Sequence, residues 1–134
     1  MPTLKIIARY RDGRLLKGTT NNFSAESPSF HIAPVGSAAG ALPTPVSIGE
    51  LKAIFVVRSF EGNRDYEEKD FFGPADKSYG KRLKVTFRDG EALVGATMNY
   101  DRGAMGFFMN PADPASNNLR VFVVNAAVAR VEEV

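Results

Sequence analysis

Tyr10-Arg11-Asp12-Gly13-Arg14-Leu15-Leu16-Lys17-Gly18 decides the fold, because it returns as Phe87-Arg88-Asp89-Gly90-Glu91-Ala92-Leu93-Val94-Gly95. The offset is 77 positions (87 − 10), and holding it lays 10–57 onto 87–134 without a gap. Thirteen of those forty-eight positions are identical, against about three by chance, which marks an internal duplication. Before Asp12-Gly13 the chain alternates, with Leu4, Ile6, Ala8 and Tyr10 on one face and Lys5, Arg9 and Arg11 on the other. Leu83, Val85 and Phe87 alternate in the same way with Arg82, Lys84 and Arg88. Period two with one apolar face is a half-buried strand. Asp-Gly between two such runs predicts a tight hairpin with a type I′ turn. Gly18 and Gly95 fall mid-way along the returning strand, where a glycine marks a sharp bend or a close approach.

Outward from this motif the remaining elements are short. Ser29 to Ile32 and Val46 to Ile48 read as brief strands, with a proline-rich surface loop over 35–45 between them. Leu51 to Val57 is the most apolar run, and its β-branched character and length predict a strand buried on both faces. The second copy has Glu132 and Glu133 where the first has Phe55 and Val56, so the Phe55 strand is expected at the junction of the copies.

Residues 58–80 belong to neither copy. They hold four basic and six acidic side chains, a local charge of −2. Phe60, Tyr66, Phe71 and Phe72 lie among those charges, which is unlike a flexible Gly/Ser linker. The segment is expected to be an ordered crossover strap, with Phe60, Arg64, Asp65, Tyr66, Phe71 and Phe72 as a partner-docking loop.

Bulk properties set limits. The 134 residues suffice for one domain or two very small ones. A net charge of +2 gives no bulk argument for nucleic acid. Without cysteine there is no disulfide, thiolate metal site or cysteine nucleophile. Neither a signal-peptide core nor a membrane-length apolar run is present, so a cytoplasmic protein without a membrane span is expected.

A bent second strand after a turn glycine, then short strands and an apolar last strand, resembles the Sm-like (LSm) five-stranded barrel. That family has an aspartate six residues after the bend glycine, where Asp101 follows Gly95 and Ser24 follows Gly18. Its RNA pocket also takes an asparagine, where this chain has Met105 and Pro28, and an Arg-Gly, where it has Asn125-Ala126. The uridine-binding residues are therefore missing, and the resemblance implies a fold without the family's RNA function. The text around Leu51-Lys52-Ala53-Ile54-Phe55 and Phe60-Glu61-Gly62-Asn63 also resembles an uncharacterised bacterial domain.

The expected fold is all-β: two duplicated five-stranded Sm-like or SH3-like barrels (1–57 and 81–134) related by a pseudo-twofold, with 58–80 crossing between them. Catalytic chemistry finds no support. His31 is the only histidine and corresponds to Phe108, so it reads as a packing residue; Asp12 and Asp89 are turn residues. No enzyme, cofactor or metal is expected. The expected function is a non-enzymatic adaptor that binds a protein partner. One alternative is a small apolar ligand, such as a lipid, among Phe30, Ile32, Phe55, Val57, Phe107 and Met109 at the junction. Another is nucleotide or nucleic acid on a basic sheet face of Lys5, Arg9, Arg11, Arg82, Lys84 and Arg88.

Overall fold

The computed structural model describes residues 3–62, 72 and 80–134. The chain is all-β. Its strands are β1 (Leu4–Tyr10), β2 (Leu15–Thr20), β3 (Ser29–Pro34), β4 (Thr44–Ser47), β5 (Leu51–Val57), β6 (Lys81–Phe87), β7 (Ala92–Thr97), β8 (Gly106–Pro111), β9 (Asn118–Val124) and β10 (Val128–Glu133). Short 3-10 turns at Ile48–Glu50 and Asn125–Ala127 precede β5 and β10. The bounds of β1, β2, β3 and the first 3-10 turn recur 77 residues on (81 − 4) in β6, β7, β8 and the second. The ten described strands join one open antiparallel sheet in the order β10-β6-β7-β8-β9-β5-β1-β2-β3-β4.

Each hairpin is closed alike. The Tyr10 amide donates to the Arg14 carbonyl and the Gly13 amide to Tyr10, and Phe87, Glu91 and Gly90 repeat the pattern. Gly13 and Gly90 take φ of +96° and +93°, while no non-glycine residue among those described has positive φ. The expected type I′ turn, which needs positive φ at the aspartate too, is thus replaced by a three-residue loop ending on a left-handed glycine. Asp12 and Asp89 hold these loops by accepting from the amides of Arg14 and Glu91.

Gly18 pairs with Pro34 and Gly95 with Pro111. A Cβ on Gly18 would meet the Ala33 carbonyl oxygen and the Ile32 side chain, and one on Gly95 the Asn110 carbonyl oxygen. These glycines are needed because a neighbouring strand comes too close for any side chain.

The halves meet through β5, which pairs with β1 on one side and β9 on the other. All seven residues of β5 are buried. Ile54 and Val56 enter a first core with Ile6, Phe30, Ile32 and Phe122. Ala53, Phe55 and Val57 enter a second core with Leu83, Val85, Phe107, Met109 and Val123. Successive side chains of a strand point to opposite faces, so the two cores lie on opposite faces of one sheet. The joint couples the fifth strand of one half to the fourth of the other. Contacts between unlike edges are head-to-tail, so the expected pseudo-twofold does not relate the halves.

The chain just after β5 extends the joint. The Arg58 amide donates to the Asn117 carbonyl, and the Asn117 side chain exchanges hydrogen bonds with the Ser59 backbone. Lys52 closes it on the other side. It is 7% exposed, and its Nζ lies 2.8 Å from both Asp89 Oδ2 and Glu91 Oε1 in the hairpin of the opposite half. Burial alone would lower the Lys52 pKa, but the hydrogen bonds and charges of Asp89 and Glu91 outweigh it and leave it raised. The Lys52 hydrogen bond and the Glu91 amide hold Asp89 below its ordinary value.

Two outcomes follow for stability. Gly18→Ala is expected to cost about 1–3 kcal/mol in denaturant unfolding, the range for overpacking; an unchanged midpoint would mean that the close approach is not constraining. For the ion pairs, Lys52→Met is expected to be nearly neutral, whereas Asp89→Ala with Glu91→Ala leaves the Lys52 ammonium without its partners and costs about 1–2 kcal/mol, less than a fully buried pair because both carboxylates are half exposed. The Asp89 contribution is present above the unfolded aspartate pKa of 3.8 and is lost as pH falls through the lower folded value. The Lys52 contribution is present below 10.5 and is lost as pH rises through the higher folded value. Unfolding followed from neutral to acid pH should therefore show a shallower loss in Asp89→Asn than in the wild type.

Candidate functional site

Of the expected docking loop, Arg64, Asp65, Tyr66 and Phe71 lie outside the described residues. Phe60 is half-buried against the second core, and its carbonyl accepts from Lys17 Nζ at 3.1 Å. Phe72 is half-buried, with the Arg82 guanidinium 4.4 Å from its ring centroid. Both described aromatics thus turn toward the protein itself.

The basic residues divide. Lys5 is exposed on β1, Arg9 stands 5.7 Å over the Phe55 ring, and Lys84 is half-buried on β6. Arg11 and Arg88 are brought together, lining a cleft of about 320 Å³ with Lys52, Phe87, Asp89 and Ala127. The six apolar candidates fill the two cores. Phe30 and Ile32 lie in the first and Phe55, Val57, Phe107 and Met109 in the second, none more than 9% exposed.

His31 departs from expectation. It is exposed on β3, where its backbone amide and Nδ1 meet the Asn22 side chain at 3.1 and 3.2 Å. Its equivalent Phe108 packs because a neighbour covers it. Phe108 and Phe122 of the C-terminal half lie edge-on to Phe23 of the N-terminal half, with centroids 5.9 and 5.2 Å away. His31 lies near the free β4 edge, where no second half arrives.

The same comparison exposes a site at the other end of the sheet. Tyr100 is the equivalent of Phe23 and packs on Phe107 at 4.8 Å. Where Phe23 meets the opposite half, Tyr100 faces an open groove of about 480 Å³ with Arg88, Arg102, Asn125, Arg130 and Val131 in its walls. One wall is β10, which among the described strands pairs only with β6. The Val134 amide donates to the Arg82 carbonyl. Backbone groups alternate along a strand, so the amides of Val131 and Glu133 point away from β6. They match those of Ile54 and Val56, which face β9 in the joint, as the Arg58 amide on Asn117 shows. The groove therefore combines strand donors with cations.

Those cations are held loosely. Arg130 Nε contacts Glu132 Oε1 at 2.8 Å with both side chains about half exposed or more. Arg88 Nε donates to the Ala126 carbonyl, and Arg102 makes no side-chain hydrogen bond or ion pair among the described residues. Asn125, which stands where an Sm-like RNA pocket would need an arginine, spends its amide on the carbonyls of Asp101 and Ala104. It ties down the turn before β8 and is not free to read a base.

Sequence reasoning passed over Lys52, Tyr100, Arg102 and Arg130. The signal was a charge appearing in one copy only: Lys52 against Ala129, Arg102 against Ala25, and Arg130 against Ala53. No group of three metal-binding side chains occurs among the described residues. Among them, no helix is long and apolar enough to cross a membrane.

No curated protein and no solved structure matches the chain. One family model, described as a family of unknown function (DUF6982), matches residues 2–134. The architecture above is thus that of a member of this family, to which the chain belongs.

Proposed function

We propose that the protein is a non-enzymatic binding module acting through protein–protein interaction, with the open β10 edge and its arginine-lined groove as the docking surface. Each half reads as a small barrel of the Sm-like or SH3-like kind. In support, each orders its strands last-first-second-third-fourth (β5-β1-β2-β3-β4 and β10-β6-β7-β8-β9) with a 3-10 turn before the last. One observation carries the functional reading. The equivalent strand β5 already binds a strand, β9, within this same chain, and β10 keeps the same outward amides with no described strand on them. A strand edge of this kind recognises an extended segment by main-chain hydrogen bonds.

A second reading has support of its own. Arg88 lines both the groove and the cleft it shares with Arg11, so cations run from the junction to the open end, as a single-stranded nucleic acid requires. Such a ligand needs no strand donor, which separates the two readings.

The test is a selection of extended peptides from a displayed random library on the immobilised protein. Enriched peptides are then measured on Val131→Pro, which deletes one outward donor and leaves the β6 ladder its own. A loss of about tenfold, the cost of one hydrogen bond left unmade, is expected. Undiminished binding to a folded Val131→Pro would overturn the edge as the docking surface. Poly(U) retained equally by both proteins, and lost steeply with salt, would favour the nucleic-acid reading.

A further inference from the structure

We infer that the seat at β10 takes an extended segment from a different protein, carrying an aromatic residue followed directly by an aspartate or glutamate, and that a second copy of this chain is refused. This rests on the β10 edge being the docking surface.

The refusal is built into both ends of the sheet. A second copy would have to offer its free edge, β4, as β9 is offered to β5. The Ile48 amide donates back to Pro28, so by alternation the amides of Thr44 and Val46 also turn toward β3. The nitrogens at 43 and 45 turn outward. Both are proline, where β9 has Arg120 and Phe122, and proline has no hydrogen to donate. On β10 the mismatch is one of charge. Arg130 and Glu132 stand where β5 has Ala53 and Phe55, both buried in the second core. Seating a like core on them would bury two charges. Ala129 also replaces Lys52, so the ion pairs that clamp the internal joint have no counterpart.

The internal joint also indicates what does fit. There Ile54 faces Phe122, Ala53 faces Val123 and Val56 faces Arg120. Transferred to β10, Val131 faces the aromatic position, and that ring meets Tyr100 as Phe122 meets Phe23. Arg130 faces the next residue and calls for a carboxylate, with Arg102 in the same groove. Glu133 faces the position Arg120 holds and favours a cation there. The exposed Arg130–Glu132 pair is worth little, so its exchange for a carboxylate inside the groove is not opposed. The preferred order is basic, any, aromatic, acidic, laid antiparallel to β10.

The probes are labelled peptides copying Asn118–Val124, with Glu, Val or Lys at the position of Val123, titrated into the whole protein by fluorescence anisotropy. The Glu peptide is expected to bind about tenfold more tightly than the Val peptide, as one charge-assisted hydrogen bond allows. Arg130→Glu should invert the order in favour of the Lys peptide, and N-methylation of the peptide phenylalanine should abolish binding. Equal affinity of the three peptides, with N-methylation still abolishing it, would overturn the acidic partner while leaving strand docking intact. Binding indifferent to N-methylation, or absent for all three, would overturn both. Sedimentation of the wild-type protein should show one mass across concentrations. Self-association removed by Arg130→Glu would make a second copy the occupant and overturn the inference.

Discussion

The structure depends on a pair of strands, β5 and β9, that is buried on both faces. Most antiparallel strands bury one face and leave the other in water. Here alternate residues of β5 supply two different cores, and β9 does the same with Phe122 and Val124 on one side and Val121 and Val123 on the other. Full burial of a valine, isoleucine or phenylalanine contributes about 1.5–3 kcal/mol. The pair therefore brings more apolar burial per residue than other strands of the sheet. Neither half is complete without it: the first core takes Phe122 from the second half, and the second core takes Phe55 from the first. The halves share their cores through the strands that join them.

A head-to-tail joint creates an obligation that a twofold joint does not. Unlike edges, once paired, always leave one of each kind unpaired at the two ends. Identical halves would add further copies without limit, or until a ring closed. The differences between the halves fall where this hazard lies: Pro43 and Pro45 on one free edge, Arg130, Glu132 and Glu133 on the other. These are familiar protections of edge strands. Lys52 is their complement, a charge placed only where both of its carboxylate partners exist. The differences between the halves thus fall at the one joint they make and at the two edges where it could repeat.

Much of this was legible in the sequence. The strand bounds that recur 77 residues apart follow the sequence identities, and the contrast of Phe55 and Val56 with Glu132 and Glu133 placed the buried strand between the halves. Alternation in 4–10 and 81–87 located the inward faces correctly because period two maps directly onto sidedness. What escaped was pairing between distant segments. Nothing local states that β5 pairs with β9, or that this pairing is head-to-tail. His31 was misjudged for that reason, since its equivalence to Phe108 implies packing only if the surroundings are equivalent too. Lys52 was passed over because a lysine in an apolar run has no visible partner until the fold brings Asp89 and Glu91 to it.

The groove at Tyr100 shows how a repeat can expose a site that pocket shape alone would not interpret. Taken by itself it is a moderately basic hollow, one of many on a protein surface. Compared with the place its counterpart occupies, it gains a direction, a register and a ring to stack on, because the other half already displays a docked strand there. The three arginines then have a definite meaning. Ala53 is small where the apolar strand β9 pairs with it, and Ala25 lines a hollow beside Phe23, whereas Arg102 and Arg130 are long and charged at the equivalent positions. Arginine keeps its charge at any physiological pH and presents a planar fork suited to a carboxylate. In the proposed reading, substituting it for alanine along the open edge of β10 exchanges the apolar selectivity of the inner joint for a polar one, while the outward backbone donors remain in place. The same edge geometry thus serves the internal joint along β5 and, in the proposed reading, a differently addressed contact along β10.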